Sequence, residues 1–284
     1  MIKFTDIPEK YTGYEKSKVV VLPIPYDATS TWMKGADRGP QALLEASINL
    51  EWYDIETGTE VYRHGICTLN PVECPEAPEE MVAEVRRQAI PLFRDKKLVV
   101  GLGGEHSVTV GLVQAALEQY PDLSVLQLDA HTDLRDTYQG SPYNHACVMA
   151  RINEMCKSVQ VGIRSMDKTE LKNVNPDRLV LARDLHLHGM NAAVDALDLL
   201  SDTVYITIDL DVLDPSYMSS TGTPEPGGID WYMLNSIIRQ VATEKRVIGI
   251  DVVELLPQQH NRAPDFLAAK LIYRSLSMIL RNAL

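Results

Sequence analysis

The run Asp129-Ala130-His131-Thr132-Asp133 constrains this chain more than any other feature. Residues 123–128 before it are short, apolar and bounded by Pro121-Asp122, which predicts a buried strand. In extended chain alternate side chains point the same way. Two carboxylates and an imidazole would thus be aimed into one cleft at a strand's carboxyl end, where open α/β sheets bind their ligands. The plainer reading is a polar loop that caps the strand.

The surrounding pattern supplies such a sheet. Apolar stretches at 18–23, 97–102, 158–163, 178–181, 203–208 and 246–252 predict further strands. Helical spacing follows at 41–50, 78–93, from about 107 through 117, after the loop 135–143 through about 156, and at 192–200, 231–242 and 263–282. Residues 55–75 look irregular, with Gly58, Gly65 and Pro71. Strands alternating with helices predict an α/β fold with a mostly parallel central sheet covered on both faces. No linker or internal repeat divides the sequence, so residues 1–284 are expected to form a single domain.

Composition excludes several functions. A formal net charge of -12 disfavours partnership with nucleic acid or an anionic membrane and suits a cationic small substrate. No apolar run approaches the ~18 residues needed to span a bilayer. The first residues carry no apolar segment of the secretory kind, and Cys67, Cys74, Cys147 and Cys156 lack zinc-type spacing. A reduced, cytoplasmic chain is the expectation.

Two other strand ends carry the same residue types. His106 follows Gly103-Gly104-Glu105, where glycine permits a sharp turn. Asp209 and Asp211 again alternate, in Asp209-Leu210-Asp211-Val212-Leu213-Asp214-Pro215. Buried carboxylates at strand ends are costly unless cations neutralise them. His106, Asp129, His131, Asp133, Asp209 and Asp211 therefore form a candidate ligand set of two imidazoles and four carboxylates. Such donors suit Mn²⁺, Fe²⁺, Co²⁺, Ni²⁺ or Zn²⁺ and give no thiolate preference for zinc. Six side chains exceed what one ion with an open position needs, but suit two ions with bridging carboxylates. Four carboxylates would balance two divalent ions, and the cluster could activate water beside a cationic substrate.

These motifs resemble those of the ureohydrolase (arginase/agmatinase) family. The matching segments are Gly103-Gly104-Glu105-His106-Ser107, Asp129-Ala130-His131-Thr132-Asp133, and Asp209 to Pro215 running on to Thr221-Gly222-Thr223-Pro224-Glu225-Pro226-Gly227-Gly228. Residues 35–40 and Asp251-Val252-Val253-Glu254 match less fully. The likeness spans nearly the whole chain, in the family's order. It implies a three-layer α/β/α, arginase-like fold with two divalent ions, usually Mn²⁺. One ion would take His106, Asp129, Asp133 and Asp209, the other Asp129, His131, Asp209 and Asp211. Glu254 matches the carboxylate that holds a guanidinium, His145 a mobile proton-shuttling histidine, and Thr223 a threonine lining the pocket. Asp133 would pass a proton to the leaving nitrogen. Without the resemblance, His145 could simply cap its helix and Glu254 could be a solvated strand-end charge.

The far end of the substrate is less determined. After the central motif the chain has Leu134-Arg135-Asp136, and before His145 it has Ser141-Pro142-Tyr143-Asn144. These depart from the arginase pattern, and Asp133-Leu134-Arg135-Asp136 and Asn144-His145-Ala146 resemble bacterial and archaeal agmatinases more. Agmatine, hydrolysed to putrescine and urea in polyamine biosynthesis, is therefore the expected substrate. Asp136 could receive its distal ammonium, whereas Arg135 leaves room for an N-substituted agmatine. Guanidinobutyrate, arginine and guanidine are further candidate substrates, and a catalytically silent scaffold is the non-enzymatic reading. Trp32 and Tyr138 could wall the pocket. Metallophosphoesterases also begin with Asp-x-His, but their later Gly-Asp and Gly-Asn-His segments do not occur here. The resemblance further suggests homotrimers or homohexamers, with the basic segment around Arg274 and Arg281 either at an interface or solvated.

Overall fold

In the computed structural model, which describes residues 2–281, the apolar runs become one eight-stranded parallel sheet. The strands are β1 (Val19–Ile24), β2 (Ile66–Thr68), β3 (Leu98–Gly103), β4 (Ser124–Leu128), β5 (Lys157–Ile163), β6 (Leu179–Leu181), β7 (Thr203–Asp209) and β8 (Arg246–Val253). Their order across the sheet is β2-β1-β3-β8-β7-β4-β5-β6. The last two long strands, β7 and β8, thus enter between β3 and β4 and join halves laid down earlier.

Helices cover both faces, which is why the strands read as continuous apolar runs rather than alternating ones. On one face, α1 (Gly39–Ser47), α7 (Trp231–Glu244) and α8 (Ala263–Ile279) pack Leu43, Leu234, Ile237 and Ile272 against Val100, Leu126, Ile206 and Ile250. On the other, α2 (Pro78–Arg94), α3 (Val108–Gln119) and α4 (Val148–Asn153) pack Val85, Leu112 and Met149 against Val99, Val125 and Tyr205. Short helices α5 (Ala182–His188) and α6 (Val194–Asp198) complete the first layer. The result is the expected three-layer α/β/α arrangement.

Four local readings differ. The segment read as irregular holds β2, a three-residue edge strand paired in parallel with β1 and too short to show a period. Helix α5 has no counterpart among the predicted helices, and the helix expected through about 156 is a 3-10 turn (His145–Cys147) followed by α4. Arg274 is not solvated. It is buried and paired with Asp54 at 2.8 Å and Glu56 at 2.5 Å within the chain. The last residue of the helix expected at 263–282 lies outside the described residues. Among the described residues, no helix is long and apolar enough to cross a membrane.

Candidate functional site

Four neighbouring strands, β3, β8, β7 and β4, deliver their carboxyl ends to one cavity. After β3 the chain passes so close to Tyr26 that a Cβ on Gly104 would sit 2.0 Å from that residue's carbonyl oxygen. Only glycine fits there, and the turn carries His106 over the sheet edge. Asp129, His131 and Asp133 follow β4, Asp209 and Asp211 close β7, and Glu254 follows β8.

All six sequence-predicted ligand candidates meet. His106 Nδ1 lies 3.1 Å from Asp129 Oδ2, 3.1 Å from Asp133 Oδ2 and 3.5 Å from Asp209 Oδ2. His131 Nδ1 lies 3.0 Å from Asp211 Oδ2 and 3.7 Å from Asp129 Oδ1. Donor atoms of His106, Asp129 and Asp133 fall within 4.8 Å of one another, and so do those of Asp129, His131 and Asp211. Asp129 belongs to both groups, as a bridging carboxylate would.

The hydrogen bonds behind His106 test whether a cation fits. Thr207 Oγ1 donates to Asp251 Oδ1 at 2.6 Å, so its oxygen accepts from His106 Nε2 at 2.9 Å. The proton is thereby assigned to Nε2, and a neutral imidazole would turn a bare lone pair toward the carboxylates. His106 Nδ1 is buried and has no hydrogen-bond partner. An unpartnered buried nitrogen facing carboxylate oxygens is the arrangement a divalent cation completes. With no cation, burial works against a charge on His106, but Asp129 and Asp133 outweigh it and hold the imidazole charged well above its usual range.

Three carboxylates of the site show the same deficit of positive charge, whereas Asp129, between His106 and His131, is held below the usual carboxyl range. Burial, reinforced by Asp211 and Asp129, pushes Asp209 well above the usual carboxyl range. Burial and Asp129 push Asp133 up to about 6. Glu254 is raised well above its ordinary value by burial and by Glu105. Its Oε1 accepts from the His106 backbone N–H at 2.9 Å and lies 4.0 Å from His145 Nδ1. Burial and the charges on His106 and His131 lower His145 to about 4.

His145, Thr223, Arg135 and Glu254 line the cavity with His106, His131, Asp133 and Asp209. Asp136 does not. It is exposed, its carboxylate held by Lys172 and by Asn173 Nδ2 at 3.1 Å, and it faces a separate surface hollow. The expectation that it receives a substrate ammonium is therefore corrected. Tyr138 lines the cavity beneath the Arg135 guanidinium, 4.4 Å from its ring centre. Trp32 is 76% exposed and is not among the lining residues.

Sequence reasoning missed the residues behind the site. Asp251, Thr207 and Tyr205 form a buried network, with Tyr205 donating to Asp251 at 2.8 Å. Gln160 donates to Gln127, which donates to Asp129 Oδ2 at 2.7 Å. Glu105 accepts from Thr29 Oγ1 at 2.5 Å, and that oxygen accepts the His145 N–H at 2.9 Å. A polar residue inside an otherwise apolar strand, as at Gln127, Thr207 or Asp251, was the available signal.

Comparison with known proteins agrees with this geometry. A sequence model of the Arginase family matches residues 17–277. The chain is 41% identical over 273 residues to an N(1)-aminopropylagmatine ureohydrolase of Thermus thermophilus, covering 95% of this chain and 93% of that one. It is 34% identical over 281 residues to an agmatinase of Pyrococcus horikoshii, covering 92% of each. The crystal structure of the agmatine ureohydrolase of Thermoplasma volcanium superposes with a TM-score of 0.90 at 31% identity, covering 100% of this chain and 96% of that one. The shared sheet, the strand-end residues and these likenesses together place the chain in the arginase family, among its ureohydrolases.

Proposed function

We propose that the protein hydrolyses the guanidino group of an N-substituted agmatine of the N(1)-aminopropyl type, releasing urea and the corresponding amine. The observation that carries the hydrolytic reading is the buried pair of carboxylate–imidazole groups sharing Asp129, with Glu254 and His145 beside them. The substrate choice rests on the aminopropylagmatine ureohydrolases of Thermus thermophilus and Synechocystis, the latter 38% identical over 290 residues. It replaces agmatine as the first expectation. Agmatine stays as the second reading because of the Pyrococcus relative.

His106, Asp129, Asp133 and Asp209 would hold one divalent ion, and Asp129, His131, Asp209 and Asp211 the other, with manganese the proposed metal. When bound, the ions would supply an activated water near neutral pH. A guanidinium keeps its proton and resists attack. Glu254 holds it by paired charge-assisted hydrogen bonds, with its carbon turned toward the cluster. Asp133 takes a proton at a carboxylate oxygen and returns it to the leaving nitrogen. His145, lowered to about 4 and therefore neutral at pH 7, exchanges protons with solvent. Thr223 borders the guanidinium, and the chain beyond it runs along the Tyr138 ring and Arg135. The setting proposed is the cytoplasm, with the protein assembled as a homotrimer or homohexamer.

Urea release by manganese-loaded protein from aminopropylagmatine, agmatine, arginine, guanidinobutyrate and guanidine tests this. The highest kcat/KM is expected with aminopropylagmatine. A higher value with agmatine would move the substrate to the second reading, and no urea from any of the five would overturn the hydrolytic one. Replacing His145 with Asn is expected to lower kcat by roughly 10²-fold with metal content unchanged and partial recovery on adding imidazole. Unchanged kcat would remove His145 from the proton path.

Metal removal gives a pH-dependent result. In the metal-free protein Asp133 is raised to about 6, above the ~3.9 of an unfolded aspartate. A raised folded value stabilises below the unfolded one and loses that contribution as pH climbs through 6. His106, also raised, acts in the same direction at higher pH. Ions reverse this by binding the deprotonated ligands. The gap in melting temperature between loaded and chelated protein should therefore widen from pH 5 to pH 8. A gap that narrows over that range would contradict the ligand set.

A further inference from the structure

Asp133 sits at φ 50°, one of five non-glycine residues with positive φ among those described. Aspartate enters that region more readily than most side chains but still at a cost relative to negative φ, and surrounding contacts hold it there. The contacts converge on one buried carboxylate. Glu170 Oε2 accepts from both residues flanking Asp133, the Thr132 hydroxyl and the Leu134 backbone N–H, the latter at 2.9 Å. Glu170 belongs to a 3-10 helix, Lys168–Asn173, and is 3% exposed. Its other oxygen accepts from Asp167 N at 2.8 Å, while Asp167 Oδ1 accepts from Thr169 N, closing a reciprocal cap. Glu170 is thus fixed from behind before it grips the loop.

Other bonds hold the same turn. The Asp133 carbonyl accepts from Met149 N at 3.0 Å and Ala150 N at 3.2 Å, and the Thr132 carbonyl from Gln160 Nε2 at 2.7 Å. They fix carbonyls and leave the donors of Thr132 and Leu134 to Glu170. The His131–Asp211 side of the cluster is tied elsewhere, by Ala130 N donating to Asp211 Oδ1 at 3.0 Å.

We propose that Glu170 is a positioning residue that holds residues 132–134 in the left-handed turn aiming Asp133 at His106. It thereby governs occupancy of the ion assigned to His106, Asp129, Asp133 and Asp209 far more than that of its neighbour. The inference rests on the metal reading proposed above. Without Glu170 two buried donors lose their acceptor, the turn relaxes toward negative φ, and the Asp133 carboxylate swings away from His106.

The test is binding of Mn²⁺ alone, by calorimetric titration and by electron paramagnetic resonance, to wild type, Glu170→Ala, Glu170→Gln and Thr132→Val. Wild type should bind two ions with the signal of a spin-coupled pair. Glu170→Ala should keep one ion near wild-type affinity, bind the other about 10- to 100-fold more weakly, and show an uncoupled signal at one equivalent. Thr132→Val should shift the same site in the same direction, by less. Glu170→Gln should weaken the same site by less than Glu170→Ala, since its amide oxygen can still accept from Thr132 and Leu134 while its NH₂ then faces the Asp167 N–H. Should Glu170→Ala not fold, Thr132→Val carries the decision. Two ions in wild type with both sites unaltered in the folded variants, or both weakened equally, would overturn the inference and leave the metal reading intact. No ion in wild type would overturn the metal reading and this inference with it.

Discussion

Replacing Asp129 with Asn is expected to strip the protein of both ions and lower kcat by roughly 10³-fold or more, because the activated water depends on them. Asp129 is the residue common to both donor groups. Its oxygens are also committed: Oδ2 accepts from Gln127 Nε2 at 2.7 Å and Oδ1 from His131 N at 2.6 Å. An asparagine amide must turn its NH₂ toward one of these donors, and a buried donor left unpaired costs ~1–3 kcal/mol. The substitution thus removes a bridging charge and also disturbs the backing that orients it. Asp211→Asn makes the contrast. Asp211 belongs to one group only, and an Asn there can still accept the Ala130 N–H through its oxygen. It should lose one ion and keep the other. Metal per chain after dialysis, measured by elemental analysis alongside kcat, decides between them. Two retained ions in the Asp129 variant, with kcat within about tenfold of wild type, would refute the bridging role.

What the sequence discloses and what it hides follow from how far apart the cooperating residues lie. Asp129, His131 and Asp133 could be read directly, since strand geometry alone puts alternate side chains on one side. Asp209 and Asp211 could be read the same way. His106 needed the glycines before it, and the close approach of Gly104 to Tyr26 supplies their physical reason. Glu254 was visible only through family resemblance, because a lone acid after an apolar strand looks like a solvated end. The backing residues depend on neighbours that the chain order conceals. Thr207 and Asp251 face each other only because β8 pairs with β7 in that register. Glu170 reaches Thr132 across 38 positions, and Lys172 reaches Asp136 across 36. The second of these made a plausible substrate acid into a surface ion pair. Edge strand β2 escaped for another reason: three residues cannot display a period.

Glu254→Gln should leave both ions in place and cut kcat/KM by about 10²–10³-fold, the effect of removing one partner from a buried charge pair. Glu254 sits at φ 64°, a left-handed conformation retained despite its cost, and its N–H donates to the Gly104 carbonyl at 2.7 Å. Gln has the same backbone limits and nearly the same shape. Its amide oxygen can still accept the His106 N–H that now bonds Glu254 Oε1 at 2.9 Å. The fold and the His106 backbone are therefore preserved, and what changes is the charge facing the substrate. Glu254 is raised above the ordinary carboxyl range by burial and by Glu105, so it lies in a setting short of positive charge. An arriving guanidinium supplies that charge and restores the carboxylate, which is why a cationic substrate gains here what a neutral amide cannot return. Part of the loss should appear in KM, since the pairing exists before reaction, and part in kcat, since the pairing also sets the direction of attack. Steady-state kinetics on metal-replete enzyme, with metal content and melting temperature measured on the same sample, separates these effects. Wild-type kcat/KM in a fully loaded Gln variant would show that the guanidinium is held elsewhere. A variant that had lost its ions would instead place Glu254 in the metal cluster.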